Sequence, residues 1–295
     1  MFGLDRTRPD WARHGPDWPN AHASRFIRAG ATRWHVQVDG PEDAPVLLLL
    51  HGTGAATHSF RSLFPLLAQS FRVIAPDLPG HGFTDARSDA ALSLPGMAAA
   101  LGALCDALEV APDFGVGHSA GVPVLMRMAL DRRAQFQRIM GINAALKPIE
   151  GNAILSPLAK LLFVNPLVPK LFAKRAATGG TVRSLLNRTK SDIDAEGMRC
   201  YETLACNPAH VAGALGMMAS WDLHSLQKDF AALTPPVTLI VADDDPMVPP
   251  EASVAAAKRI TAAEVLRFPT GGHLLHEVDP HSLARLIGEH CLVSG

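Results

Sequence analysis

The sequence predicts an α/β protein built on a mostly parallel sheet, and two observations carry that reading. The apolar runs PVLLLLHG (45–52), FRVIAPDLPGHG (71–82), FGVGHS (114–119) and PVTLIVADDD (236–245) are continuous rather than alternating. That is the pattern of strands buried on both faces and running into loops. Between them lie segments of helical composition, such as MAAALGALCDALEV (97–110) and GVPVLMRMALDR (121–132). Strands alternating with helices imply a parallel sheet covered on both sides.

Taken in order, SRFIRAGATRWHVQVDG (24–40) reads as two short strands joined at Gly30-Ala31. The runs at 45, 71 and 114 follow as strands, and FQRIMGINAA (136–145) is another. The strand at 236 and a last one in AEVLRFPTGGH (263–273) close the sheet, and PHSLARLIGEHCL (280–292) is helical. From 146 to 232 the alternation stops and the chain is rich in Leu, Ala, Met and Lys. This stretch is expected to be a helical cap inserted over the strand ends, where open parallel sheets bind their ligands. The expected division is a core of 1–145 and 233–295, with 1–23 as an N-terminal arm, and a cap of 146–232.

Composition narrows the function. Hydrophobic residues make up 48% and charged residues 19%, so the chain folds. A formal net charge of -1 gives no overall attraction to nucleic acid. The opening residues have no apolar core of a signal peptide, and no run of eighteen apolar residues predicts a membrane span. Cys105, Cys200, Cys206 and Cys291 form no CxxC pair, which fits reduced thiols in a cytoplasmic protein. No cofactor or metal is expected. His51, Asp77 and His81 recur in loops and are read as loop supports, because no third ligand has a sensible spacing.

The chemistry centres on VGHSAG (116–121), where Gly117 and Gly121 bracket Ser119 at a strand-to-helix turn. This is the pattern of a nucleophile elbow, which pushes the hydroxyl outward. A serine needs a positioned base, and in this arrangement the chain order is serine, acid, histidine. His273 in PTGGHLLHE follows the last strand and is the expected base, with His276 the alternative. His118 adjoins the serine but is expected to point away, and the remaining histidines are read as ordinary surface or core residues. Among Asp243, Asp244 and Asp245 in VADDDPMVPP, Asp245 is the expected acid and Asp243 the alternative. The oxyanion donors are expected to be the N–H groups of Ala120, after the nucleophile, and Thr53 in HGTGA (51–55).

HGTGA, APDLPGHGFTD, VGHSAG, DDDPMVP and GGHLLHE together resemble the α/β-hydrolase superfamily over about 24–292. That resemblance implies an esterase-like activity through a triad of Ser119, Asp245 and His273. A family glycine would often stand at Ala242, which leaves the choice among the aspartates open. DWPN, RWHVQVDGPEDAPVLLLLHGTGAATHSFRSLFPLLA, SLPGMA and MMASWDL are similar to the magnesium-chelatase accessory proteins of bacteriochlorophyll biosynthesis. This implies a link to magnesium insertion into protoporphyrin, with magnesium chelatase as a partner or, alternatively, a non-catalytic role in binding porphyrin. The substrate is expected to be an apolar acyl compound or a tetrapyrrole. Met217, Met218 and Trp221 are candidate contacts for it, and equally plain core residues. The segment 156–176 carries Leu158, Leu161, Leu162, Phe163, Leu167, Leu171 and Phe172 beside Lys160, Lys170, Lys174 and Arg175. It is expected to form two short helices, bent at Asn165-Pro166, that rest on the inner membrane through a salt-sensitive contact.

Overall fold

The computed structural model describes residues 8–86, 88–147, 165 and 167–292. Eight strands form one sheet: β1 (Ser24–Ala29), β2 (Thr32–Asp39), β3 (Val46–Leu50), β4 (Arg72–Pro76), β5 (Phe114–His118), β6 (Arg138–Ile142), β7 (Val237–Ala242) and β8 (Ala263–Phe268). Their order is β1-β2-β4-β3-β5-β6-β7-β8. Pairing is antiparallel from β1 to β2 and from β2 to β4, and parallel from there on.

The described α-helices are α1 (Trp11–His14), α2 (Leu63–Leu67), α3 (Leu94–Ala107), α4 (Gly121–Leu130), α5 (Leu167–Ala177) and α6 (Thr181–Asn187), then α7 (Ala195–Ala205), α8 (Pro208–Ser220), α9 (Leu223–Lys228), α10 (Pro250–Ala257), α11 (Leu275–Val278) and α12 (Pro280–Leu292). Local chemistry sets their starts. Ser93 accepts from the Gly96 N–H at the head of α3, with Pro95 in the first turn, so the helix begins before the predicted Met97. Asp194 and Asn207 cap α7 and α8 in the same way.

The uninterrupted strand sequences mean what they suggest. Leu48 and Leu50 of β3 belong to one core with Leu101, Leu104 and Val124 from α3 and α4. Leu47 and Leu49 point into a second core with Phe64 of α2 and Leu283 and Ile287 of α12. The N-terminal arm is anchored by Trp18, whose Nε1 donates to Thr57 Oγ1 at 3.0 Å and whose ring meets Phe83 edge-on.

Between β6 and β7 the described elements are helices, as the loss of alternation implies. Asn165 Oδ1 accepts from Leu167 N at 3.0 Å and so caps α5. Leu158, Lys160, Leu161, Leu162, Phe163 and Pro166 lie outside the described residues.

The turn after β5 is the tightest constraint in the fold. Ser119 sits at φ 48, in the left-handed region. A Cβ on Gly117 would lie 2.8 Å from Gly121 C and from Val122 N, and one on Gly121 would overlap the Leu50 carbonyl oxygen. Both glycines are therefore demanded by backbone packed on backbone. Gly121→Ala is expected to cost more than about 3 kcal/mol, since rigid neighbours cannot yield. Gly30, at φ 56 with nothing within 4 Å of its missing Cβ, is the control. Gly30→Ala should cost only about 1 kcal/mol, the left-handed penalty alone. Urea unfolding of the two variants measures the contrast.

Candidate active site

Four loops that leave the sheet at the carboxyl ends of β3, β5, β7 and β8 carry the candidate residues. Leu50 of β3 pairs with Gly117 of β5, so the 51–55 loop and the Ser119 turn emerge side by side. A Cβ on Gly52 would lie 3.1 Å from the Ser119 Cβ. The turn is clamped from β6: Ser119 N donates to Ile142 O at 2.9 Å, and its carbonyl accepts from Ala145 N at 3.1 Å. Ser119 keeps 8% of its surface exposed. Among the described residues the N–H groups of Thr53 and Ala120 have no hydrogen-bond acceptor. Both are thus free to meet a ligand oxygen.

The three aspartates of the 243–245 run have separate partners. Asp245 Oδ2 accepts from His273 Nδ1 at 2.8 Å, with the carboxylate buried and the imidazole 12% exposed. Its Oδ1 accepts from Met247 N and Val248 N at 2.7 and 3.1 Å. Asp243 pairs with Arg267 on the surface, and Asp244 Oδ1 accepts from Gly272 N. Asp245, of the three, orients the histidine. With Nδ1–H given to the carboxylate, Nε2 is the ring nitrogen left to take a proton.

Sequence reasoning missed Asn143. It lies at φ 46 just past β6 and is 1% exposed. Its Nδ2 donates to Gly272 O and His273 O, each at 2.9 Å, while Oδ1 accepts from Ala242 N at 2.9 Å. One amide thus ties the ends of β6 and β7 to the His273 loop. The only local signal was an asparagine at a strand end, a residue that tolerates the left-handed region. His118, read as pointing away from the serine, lies against the same loop. Its Nε2 donates to His273 O at 2.9 Å, and its ring centroid lies 4.8 Å from that of His273 with the planes tilted by 58°.

His276, the alternative read from sequence, faces a second buried network and not Asp245. Its Nε2 donates to Ser59 Oγ at 2.7 Å, and Ser59 donates to Glu277 Oε1 at 2.9 Å. Tyr201 of α7 also donates to Glu277 Oε1, at 2.6 Å, and Arg61 pairs with Glu277 and with Asp194. A Cβ on Gly197 would lie 2.6 Å from the Arg61 guanidinium, so α7 rests directly on that cation. Burial pushes the Glu277 carboxyl up, against the opposing pull of Arg61.

The loop supports read from sequence are in place. Asp77 accepts from Thr57 N, Phe83 N and His35 Nδ1, all at 2.8–2.9 Å. His51 Nε2 accepts from Leu78 N, and His81 Nδ1 donates to Pro79 O. His210 of α8 accepts from Gly82 N and donates to Gly54 O, which seats that helix over the 51–55 loop. Met217 of α8 is fully buried, and its Sδ accepts from Thr53 Oγ1 at 3.4 Å. Met218 is half-buried on the same helix. Trp221 packs against the main core, and its Nε1 has no acceptor among the described residues. No group of three His, Cys, Asp or Glu residues suited to a metal ion occurs among the described residues.

Residues 45–280 match the family model described as alpha/beta hydrolase fold. The chain belongs to the α/β-hydrolase fold family. It is 42% identical to "Magnesium-chelatase 30 kDa subunit" of Rhodobacter capsulatus, over 92% of this chain and 95% of that one. The chain is also 26% identical to "Putative carbamate hydrolase RutD" of Variovorax paradoxus, over 81% and 88% of the two chains. Among solved structures, the haloalkane dehalogenase DbeA from Bradyrhizobium elkani superposes with a TM-score of 0.72 at 22% identity, over 91% of this chain and 97% of that one. At that identity the likeness concerns the fold. The two resemblances read from the motifs, to the superfamily and to the magnesium-chelatase accessory proteins, both hold along the chain.

Asn143→Ala removes three hydrogen bonds and strands buried partners, so it should cost about 3 kcal/mol or more in equilibrium unfolding. A second prediction concerns acid. Burial lowers the pKa of His51, His58, His81, His118, His210 and His276 below 6.5, that of His210 to about 3. A histidine whose pKa falls on folding holds its proton better in the unfolded chain. The stability these groups allow is complete above about pH 6.5 and drains away as the pH falls below it. Each proton gained on unfolding adds about 1.4 kcal/mol per pH unit to the slope. Urea midpoints should fall steeply from pH 7 to pH 5, and a flat profile would contradict neutral buried imidazoles.

Proposed function

We propose that this protein is a serine hydrolase of the carboxylic-ester type, with Ser119 as nucleophile, His273 as base and Asp245 as orienting acid. The observation that carries the reading is the 2.8 Å His273–Asp245 hydrogen bond beside the left-handed turn at Ser119. His273 Nε2 takes the proton of Ser119 Oγ as the oxygen attacks the ester carbonyl carbon. The N–H groups of Thr53 and Ala120 hold the oxyanion that forms. The carbon–oxygen bond to the alcohol then breaks, and the imidazolium gives its proton to the departing alkoxide. Water attacks the acyl-serine with His273 again as base, releasing the acid and restoring Ser119. Residues 1–145 and 233–295 act as the core domain, and 146–232 acts as the cap that selects the substrate.

The similarity to a magnesium-chelatase subunit supports a place beside magnesium insertion into protoporphyrin, with an apolar acyl compound or a tetrapyrrole as substrate and the chelatase as a partner. The setting proposed is the cytoplasm. Met217, Met218 and Trp221, at the end of α8 where Met217 meets Thr53, are the proposed apolar contacts for that substrate. The competing reading is a porphyrin-binding accessory protein with no chemistry. Complementation of a deletion strain separates the two: Ser119→Ala restores pigment only if catalysis is dispensable.

A fluorophosphonate probe tests the chemistry directly. It should label the native protein and leave Ser119→Ala unlabelled. Asp245→Asn should lower turnover of a small soluble ester by about 10⁴-fold, the loss known for the same change in another serine triad. Equal labelling of native protein and Ser119→Ala would overturn the assignment.

A further inference from the structure

The outer faces of α5 and α6 carry a surface that the proposed site does not use. On α5, Leu167, Lys170, Leu171 and Lys174 follow the i, i+3, i+4, i+7 spacing of one helical stripe. Leu167 is 61% and Leu171 66% exposed, and Lys170, Lys174 and Arg175 are exposed beside them. The opposite side of the helix is committed inward: Pro169, Ala173 and Ala176 are buried. Ala176 and Phe172 join a cluster with Val182, Leu186, Met198 and Tyr201. On α6 the arrangement repeats. Val182 and Leu186 enter that same cluster, while Leu185 is 45% exposed and Arg183 is exposed with it. Arg188 and Lys190 continue the exposed basic run.

Two features of this surface decide what fits it. Residues 165–191 contain six cations, Lys170, Lys174, Arg175, Arg183, Arg188 and Lys190, and no carboxylate. Among the described residues none of the six is ion-paired; the arginine ion pairs lie at Arg61, Arg127, Arg138, Arg267 and Arg285. On a chain of net charge -1 this is a local concentration of one sign. The exposed leucines, meanwhile, interleave with the cations along each helix. A protein partner is ordinarily matched by charges of both signs placed to fix register. A uniform set of cations on flexible stems, around short apolar side chains, matches a surface of uniform negative charge over a fluid apolar layer. We infer that the α5–α6 face docks this protein onto an anionic lipid bilayer. The helices lie flat, with Leu167, Leu171 and Leu185 reaching the acyl boundary and the cations among the headgroups. This matches the location expected from the sequence around 156–176, but its defined elements are α5 and α6, and α6 lies outside that segment. No helix of the described residues is long and apolar enough to cross a membrane, so the contact is peripheral.

The test is flotation of the full-length protein with vesicles of phosphatidylcholine alone and of phosphatidylcholine with phosphatidylglycerol. The native protein should float with the anionic vesicles at low salt, be released at high salt, and ignore the neutral ones. Changing Lys170, Lys174 and Arg175 together to Glu should lower the partition coefficient by roughly a hundredfold, as each cation near the surface contributes severalfold. Changing Leu167, Leu171 and Leu185 together to Ser should weaken binding while keeping its salt dependence. Far-UV circular dichroism and thermal unfolding confirm that the variants fold. None of the six positions belongs to the proposed triad, so hydrolysis of a soluble ester by these variants should match the native protein. A protein that fails to label with fluorophosphonate yet floats keeps this inference and loses the hydrolase reading. Native protein that ignores anionic vesicles, floats equally with neutral ones, or floats undiminished after the charge reversal would overturn it. So would preferential capture by a soluble acidic protein.

Discussion

The candidate site depends on one backbone approach: Gly121 packed on the carbonyl of Leu50, with Gly117 against Gly121. No side chain fits between these segments, so the start of α4 is pressed against the end of β3. Ser119, between them, has no choice but the left-handed region, at φ 48. A strained conformation of this kind persists only where the surroundings over-determine it. Here the surroundings are explicit. Ser119 N is held by Ile142 O and its carbonyl by Ala145 N. Because β3 and β5 are sheet neighbours, the same approach brings Thr53 and Ser119 out of the sheet together. A relaxed turn would lose the close approach of Ser119 to the 51–55 loop, where a Cβ on Gly52 would lie 3.1 Å from the Ser119 Cβ.

The histidine side of the site is built differently. His273 lies on a loop, and a loop has no ladder to fix it. Its position comes from many partners: Asp245 at the ring, and Asn143 and His118 at its carbonyl. Asp244 holds Gly272 N, and Ser191 Oγ links Gly271 O to Leu274 N. Even the His273 N–H is taken, by Thr189 O from beyond α6. Seven histidines among the described residues are buried, and several serve as rigid two-ended hydrogen-bonding struts. His210 bridges Gly82 N and Gly54 O, and His51 bridges Leu78 N and Gly52 O. A neutral imidazole offers one donor and one acceptor at fixed separation, which suits a gap between two loops. The cost of that solution is vulnerability to acid.

What was legible in the sequence follows the range of the interactions. The strands were legible because doubly buried strands must be apolar throughout. The elbow was legible because its residue pattern is local, two glycines bracketing a serine within 117–121, although the contact that demands Gly121 comes from Leu50. The order of strand ends, together with the three aspartates before Pro246, narrowed the acid to a short run. The choice within that run needed the partners: Arg267 for Asp243, Gly272 N for Asp244 and His273 for Asp245. The other supports were illegible because they are long-range and have no periodicity. Ser59 meets Glu277 across 218 positions, and Asn143 meets His273 across 130. A histidine such as His118 looks the same in sequence whether it faces water or braces a loop.

The helices between β6 and β7 face two ways, and the division between the faces explains how they can hold a site and present a surface at once. Their inner side is held to the core by buried polar groups: Tyr201 and Arg61 on Glu277, His210 on the 51–55 loop, Met217 on Thr53. Breaking a buried pair by removing one partner strands the other and costs about 3–5 kcal/mol. These contacts therefore resist the modest forces that act on an exposed helix face, such as the roughly 1 kcal/mol per cation available at a charged surface. Among the described residues, the outer leucines and cations of α5 and α6 share no hydrogen bond with this inner set. A contact made on the outside can then change where the protein resides without moving Thr53, Ser119 or His273. The inner network also passes through α7, since Gly197 lies on Arg61 and Tyr201 reaches Glu277 next to His276. Substitutions on α7 would disturb both the seating of the helices and the His273 loop, whereas charge changes on the outer stripe of α5 would alter the outer surface and leave that seating intact.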